Sequence, residues 1–283
     1  MKVPKVQSKT VLVTGCSSGI GEATANYLRS EGWDVFPTAR AEFDLDKLRS
    51  MGFDPLSLDL CDSNSINGCI SSLLRQCPEG IGAIVNNAGI AIPGAVEDLS
   101  RADLKIQFEV NVFGLQELTN RLIPTLRGQG WGRIVNISSI YGVLTAPMVG
   151  GYCASKYALE ALSNAQRMEL YGSGIGLSLV EPGPIVSSFR RNAYESLKSR
   201  ISIEHHFYDR YERYLSRKLM DPQRKTRFTQ GPRQVAEKVL HALTSNNPRQ
   251  RYLVTFPAYA GSFLARILPG PAIDYVMKKS LNL

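Results

Sequence analysis

Short apolar runs alternate with longer amphipathic stretches along nearly the whole chain. Runs of strand length occur at Thr10–Thr14, Trp33–Thr38, Pro55–Asp59, Ala83–Asn86, Arg133–Ser138, Gly176–Glu181 and Tyr252–Thr255. The first six are short and apolar, as expected of parallel strands covered on both faces. Ile20–Glu31, Ser63–Cys77, Arg101–Arg127, Gly151–Tyr171 and Pro232–Asn246 read as helices between them. Repeated strand–helix units predict an α/β fold, a doubly wound parallel sheet of about seven strands. No internal repeat or linker-like stretch divides residues 1–283, so a single domain is expected. The rhythm breaks at Ser188–Gln230, a charged, tyrosine-rich insertion between the sixth strand and the next helix. Insertions at the carboxyl edge of such a sheet act as lids or binding loops. A helical lid is therefore expected over 188–230, followed later by a C-terminal extension over 257–283.

Composition changes this picture little. With 43% apolar and 20% charged residues, the chain fits an ordinary soluble globular protein rather than a disordered one. It has no uninterrupted apolar run of about 18 residues, so no spanning helix is expected. Met1-Lys2-Val3-Pro4-Lys5 leads into the first strand without the apolar segment of a secretory signal. The five cysteines, at 16, 61, 69, 77 and 153, are odd in number and lack metal-like or CxxC spacing. They are expected to be reduced thiols of a cytoplasmic protein. His205, His206 and His241 show no metal spacing either, and no metal is called for.

Charge is uneven. Residues 190–251 hold 15 Lys/Arg against 6 Asp/Glu, while the remainder holds 18 against 19. A basic region can meet nucleic acid, an anionic membrane or an anionic substrate. The acidic residues are interspersed and no nucleic-acid motif accompanies them, so a solvated, salt-bridged face is the expectation and no nucleic-acid partner is called for.

Candidate chemistry begins at the first strand–helix junction, Thr14-Gly15-Cys16-Ser17-Ser18-Gly19-Ile20-Gly21. Glycines there permit a tight turn and a close approach of backbone to a pyrophosphate at a helix N-terminus, as in Rossmann-type folds. The spacing is GxxxGxG, not the GxGxxG usual in dinucleotide-binding folds. Asn86-Asn87-Ala88-Gly89 follows the fourth strand. Asn111 lies within a predicted helix, where its propensity is poor and a polar role is reasonable. Pro182-Gly183-Pro184-Ile185 closes the sixth strand. Ser139 precedes Tyr152, which precedes Lys156 by one helical turn, so phenol and ammonium share a face. A phenol with an ordinary pKa of about 10 shuttles protons poorly at neutral pH. A nearby cation is expected to lower that value.

Together these motifs, in order and spacing over Thr10–Phe189, resemble the short-chain dehydrogenase/reductase family. The resemblance implies that Gly15, Ser17, Ser18, Gly19, Ile20 and Gly21 line the pyrophosphate and adenosine side. It implies that Asp59 and Leu60 contact adenine, and that Asn86, Ala88 and Gly89 shape the ribose pocket. Pro182, Gly183, Ile185 and Ser187 would hold the nicotinamide carboxamide; many members carry Thr where this chain has Ser187. For carbonyl reduction, Tyr152 would donate the proton and Ser139 would polarise the oxygen. Lys156 would lower the tyrosine pKa and bond the nicotinamide ribose, and Asn111 would hold a water linking Lys156 to solvent.

The end of the second strand bears on cofactor choice. NAD-preferring folds place an acidic side chain there, whereas this chain has Thr38-Ala39-Arg40. A guanidinium binds a 2′-phosphate bidentately where a carboxylate repels it. NADP(H) is expected; NAD(H) is the alternative, served by Glu42 or Asp44. The loop and the Thr38–Arg40 ending are most similar to the hydroxysteroid/retinol-dehydrogenase-like branch, which includes NADP-dependent aldehyde reductases. The expected function is NADPH-dependent reduction of an apolar aldehyde or ketone. The alternatives are an NAD-dependent alcohol, steroid or retinol dehydrogenase, and a non-catalytic NADP(H) sensor.

Residues Ile140–Leu144 and Ala146–Val149 would flank the reacting carbon, and they are apolar. The insertion carries Phe207, Tyr208, Tyr211, Tyr214 and Leu215 at near-helical spacing, facing either substrate or the lid's own packing. Phe263–Leu268 and Ile273–Met277, with Lys278-Lys279, form an apolar C-terminal stretch with basic flanks. A helix covering the pocket or meeting a second subunit is the favoured reading there, and membrane-surface contact is the other. The resemblance also implies a homo-oligomer formed through the two long helices Arg101–Arg127 and Gly151–Tyr171.

Overall fold

Strands β1 (Thr10–Val13), β4 (Ala83–Asn86) and β5 (Gly132–Ile137) are buried at every position, because each lies inside a sheet covered on both faces. The structure, a computed structural model, describes residues 2–212 and 227–281. Four further strands complete the sheet: β2 (Asp34–Ala39), β3 (Leu56–Ser57), β6 (Ile175–Pro182) and β7 (Arg251–Val254). All pairings are parallel and the order is β3-β2-β1-β4-β5-β6-β7.

The two-residue period of a strand divides β1 between two cores. Val11 and Val13 join Val35, Val135 and Val180 on one face, and Leu12 joins Ile84 and Ile134 on the other. The first face is covered by α1 (Gly19–Ser30), α2 (Glu42–Ser50) and α8 (Pro232–Thr244). The second is covered by α3 (Ser63–Gln76), α5 (Leu115–Gln129) and Leu170, the residue that follows α6 (Gly150–Glu169). The strand order turns back between β1 and β4, opening a crevice at their carboxyl ends.

Several boundaries differ from the sequence expectation, for physical reasons. The third strand pairs through Leu56 and Ser57 alone, and only beyond Pro37, which has no N–H to give. Helix α2 was not foreseen: it buries just Leu45 and Leu48 and leaves Phe43 81% exposed, too short a stripe to stand out. The predicted helix Arg101–Arg127 is two helices, α4 (Arg101–Phe108) and α5, joined by a π turn over Glu109–Gly114. Such turns insert a residue into the ladder and re-aim side chains.

The insertion begins with α7 (Phe189–Lys198) and reaches a helical turn at Tyr208–Arg210. The predicted stripe residues Tyr214 and Leu215 lie outside the described residues. Its two ends are clasped, since Val186 donates to the Gln230 carbonyl at 3.0 Å and Gln230 donates to Pro184 at 3.1 Å. After β7 the C-terminal extension folds as α9 (Phe256–Ile267) and α10 (Gly270–Leu281).

Candidate active site

Loop Thr14–Ser18 carries β1 into α1 at the crevice floor. Gly15 and Gly19 have φ of 71° and 64°, a left-handed backbone that suits glycine. A Cβ on Gly21 would fall 2.1 Å from the Gly15 carbonyl oxygen, so the helix sits this close to its own loop only without a side chain. The N-cap residue Ser18 makes no side-chain cap bond, which leaves the first amides of α1 for an anion. Ser17 and Ile20 complete the loop, half-buried around this opening.

Asn87, which sequence reasoning passed over, pins the loop. Its Nδ2 donates to the Thr14 and Gly15 carbonyls at 2.8 and 3.0 Å. The Thr14 hydroxyl in turn accepts from the Asn87 and Ala88 amides, each at 2.9 Å. Lys47 of α2 braces the other side, donating to the Ser17 carbonyl at 3.2 Å and pairing with Glu22 at 2.8 Å. Asn86 does not face the crevice as expected. Its Nδ2 donates to Thr119 and Asn136 at 2.9 and 2.8 Å in a buried network, so only its backbone can shape the ribose pocket.

On the adenine side, Arg40 is exposed just past β2, and its charge reaches the Cys61 thiol beside Asp59. Asp59 Oδ1 accepts from the Cys61 amide at 2.9 Å, while Leu60 is buried with its carbonyl against Gly114. Pro182 ends β6, and Gly183 donates to the Val254 carbonyl at 2.9 Å. Beyond the buried Ile185, Ser187 comes within 3.1 Å of where a Gly19 side chain would begin. The strip predicted for nicotinamide thus borders the glycine-rich loop.

Ser139, Tyr152 and Lys156 converge and are almost wholly buried. Ser139 caps a single 3-10 turn after β5, its Oγ accepting from the Tyr141 amide at 3.1 Å. Tyr152 is hydrogen-bonded to Ser139. Lys156 lies one turn further along α6, with Nζ 5.9 Å from the Tyr152 ring centre and donating to the Ile137 carbonyl at 2.8 Å. The π turn delivers Asn111, whose Nδ2 donates to Ile90 at 2.9 Å and to Ser155 at 3.0 Å. Asn111 Oδ1 accepts from the Ile90 amide at 2.9 Å, and both it and Lys156 Nζ approach Gly89.

Electrostatics correct one expectation. Lys156 does not pull the Tyr152 pKa down here. Burial pushes the phenol well up, against the opposing pull of the Ser139 hydrogen bond. Burial also lowers Lys156, to about 8, opposed by Glu160. At neutral pH the pair is a protonated phenol beside an ammonium, which is the form of a proton donor.

A buried acid pair stands behind Lys156. Glu160 follows it by one turn of α6, and Arg251 bridges Glu160 and Glu181 at 2.6 Å each. Burial first, then the Glu181 charge, raise Glu160 to about 7, while Ser138 and Arg251 pull the other way. Carboxylates in an apolar strand and at Lys156 plus four were the available signals.

The substrate side is aromatic. Tyr141 and Phe189 lie 6.4 and 5.6 Å from the Tyr152 ring, and Ala91, Val149 and Ala193 complete that cluster. The insertion is fastened down: the buried Tyr211 accepts from the Ala95 amide at 2.6 Å and donates to Asp98. Arg200 pairs with Asp103 at 2.8 Å. Phe207 and Tyr211 pack with Ala95, Met148 and Leu197, so this part of the stripe is the insertion's own packing face.

The short chain dehydrogenase family matches residues 9–198. The chain belongs to this family. It is 39% identical over 274 residues to the uncharacterized oxidoreductase YbbO of Escherichia coli K12, covering 97% of this chain and 96% of that one. It is 31% identical to human 17-beta-hydroxysteroid dehydrogenase type 6, covering 98% and 90%. A crystal structure of a short-chain dehydrogenase from Streptomyces avermitilis superposes with a TM-score of 0.76 at 29% identity, over 96% and 94% of the two chains. The protein is thus an oxidoreductase with the Rossmann-type fold, of a family that acts on CH–OH groups with NAD(P)(H). The cradle fits such a dinucleotide, because its glycines let the loop pack this tightly against Ala88, Ser187 and α1, and the α1 N-terminus has no side-chain cap.

Proposed function

We propose that the protein reduces an apolar aldehyde or ketone to the alcohol, using NADPH. The observation that carries this reading is the meeting of Ser139, Tyr152, Lys156 and Asn111 in one buried cluster beside an aromatic wall. NADPH, when bound, supplies the hydride to the carbonyl carbon. Tyr152 gives its phenolic proton to the carbonyl oxygen, and Ser139 donates a hydrogen bond that fixes and polarises that oxygen. Lys156 holds a positive charge behind the phenol as it becomes anionic. Asn111 positions Ser155 and the Ile90 backbone next to Lys156, keeping that end of the relay ordered.

Gly15, Ser17, Ser18, Gly19, Ile20 and Gly21 hold the pyrophosphate; Asp59 and Leu60 take the adenine. Ala88, Gly89 and the Asn86 backbone take the ribose, and Pro182, Gly183, Ile185 and Ser187 take the carboxamide. The preference for NADPH rests on Arg40. Glu42, one of the two carboxylates (with Asp44) that would serve NAD, pairs with Arg49 at 2.7 Å. Among the described residues Arg40 itself joins no ion pair. The expected setting is cytoplasmic. Exposed Phe113, Leu162 and Met168, on the two long helical elements, support self-association.

The test is loss of NADPH absorbance, and separately NADH absorbance, with short aldehydes, long-chain enals, retinal and ketosteroids. Turnover with a strong NADPH preference is expected. Tight NADPH binding without turnover of any member would contradict the reading.

A further inference from the structure

Helix α9 buries its small residues and exposes its large ones. Ala258, Gly261 and Ser262 face the protein, with Gly261 against Ile140 and Leu144. Phe256, Tyr259, Phe263 and Ile267 are 63, 50, 63 and 57% exposed. At 3.6 residues per turn these four share an arc of about 80°. Phe228 stacks on Phe256 at 5.3 Å and widens the stripe, and Tyr275 and Val276 of α10 are exposed as well. Single exposed apolar residues are ordinary; an aligned aromatic row is not.

A cavity of about 220 Å³ opens beside this row, at the edge of β7. Lys238, Arg249, Arg251 and Arg266 line it, together with Tyr259 and Ser262. Tyr259 and Arg266 belong to α9, so the basic mouth and the aromatic row adjoin. Arg251 is held from behind by Glu160 and Glu181. The charged residues of α9 and α10 are Arg266, Asp274, Lys278 and Lys279, again mainly basic.

We propose that this face docks on an anionic phospholipid surface, with headgroup phosphates at the basic cavity and the α9 row in the acyl boundary. Charge decides the occupant. In a two-fold interface a patch meets itself, so a second copy would set these cations against the same cations. An anionic bilayer offers both the opposite charge and an apolar layer, the two demands of an interfacial helix. Among the described residues no helix is long and apolar enough to cross a membrane, so the contact is peripheral. This inference stands apart from the proposed reaction.

The test is flotation of the full chain with phosphatidylglycerol-containing vesicles and with pure phosphatidylcholine vesicles. Wild type is expected to float with the anionic vesicles and to be released by salt. Phe256→Ser/Phe263→Ser and Lys238→Ser/Arg266→Ser are each expected to weaken binding by about ten-fold or more, with circular dichroism and turnover of a water-soluble substrate unchanged. No flotation of wild type would overturn the proposal, as would unchanged flotation of both variants. So would an aromatic variant that turns a dimer into a monomer while wild type ignores vesicles, since the row would then be a self-contact.

Discussion

The two walls of the crevice are built differently. The wall proposed for the cofactor is held largely through backbone: glycine turns, loop carbonyls pinned by Asn87, and α1 amides without a side-chain cap. The substrate wall is held by side chains: rings around Tyr152, the Tyr211 latch on Ala95 and Asp98, and the Arg200–Asp103 pair. A backbone cradle admits few sequences, whereas a wall of packed side chains can be rebuilt in many ways. On the proposed function, chemistry is fixed at the seam between the walls and selectivity is set on one of them.

The largest expected effect lies on that seam. Tyr152→Phe should lower turnover by about 10²–10⁴-fold while NADPH binding, read by quenching of protein fluorescence, stays near wild type. Near-normal turnover would remove Tyr152 from the proton-donor role.

Next in size is a change confined to the cofactor wall. Arg40→Ala should cost roughly ten- to a hundred-fold in kcat/KM with NADPH, the effect of losing about 1.5–3 kcal/mol of charge-assisted hydrogen bonding. The NADH value should barely move. Equal losses with both cofactors would show that Arg40 has a structural role only.

A smaller change belongs to the substrate wall. Tyr211→Phe removes the hydroxyl between Ala95 and Asp98. KM for the carbonyl should rise about five-fold, as expected for roughly 1 kcal/mol of hydrogen bonding, with NADPH affinity unchanged. A fall in NADPH affinity of the same size would mean that the two walls are not independent.

Two titrations sharpen the picture at the seam. Lys156, lowered to about 8, must be an ammonium and Tyr152 a phenol for reduction. The kcat/KM for reduction should therefore hold below pH 8 and fall above it. Glu160 is raised from an ordinary 4.5 to about 7, so the folded state binds its proton more tightly than the unfolded chain does. The stability it contributes is full below about pH 4.5 and is lost as pH rises through about 7. Thermal melts should show a downward drift across that window that Glu160→Gln flattens.

The cofactor wall was the more legible in sequence, because backbone demands leave glycines, prolines and asparagines at fixed spacings. The strands could be placed from short apolar runs, the loop Thr14–Gly21 from its glycines, and the set Ser139, Tyr152, Lys156 and Asn111 from the family resemblance. What escaped was held by contacts between distant residues. Adjacent in sequence, Asn86 and Asn87 could not be told apart there: the Asn86 side chain turns into the network with Thr119 and Asn136, and Asn87 pins the glycine-rich loop. Lys47 was missed because α2 is barely amphipathic. The raised Tyr152 pKa was missed because an i, i+4 lysine suggests a cation at hand, while burial decides the balance. The insertion's ring stripe could not be divided between substrate and packing until Phe207 and Tyr211 were seen packed on Ala95, Met148 and Leu197.

The central claim is that the two walls meet to pass a hydride from NADPH and a proton from Tyr152 to one carbonyl. The most direct measurement uses NADPH deuterated at nicotinamide C4, on the transferred face, with the best carbonyl of the panel. Mass spectrometry of the product alcohol should find one deuterium on the carbinol carbon with wild type, and product formed far more slowly with NADPH-saturated Tyr152→Phe. Alcohol without deuterium, or labelled alcohol formed at an undiminished rate by Tyr152→Phe, would contradict the account.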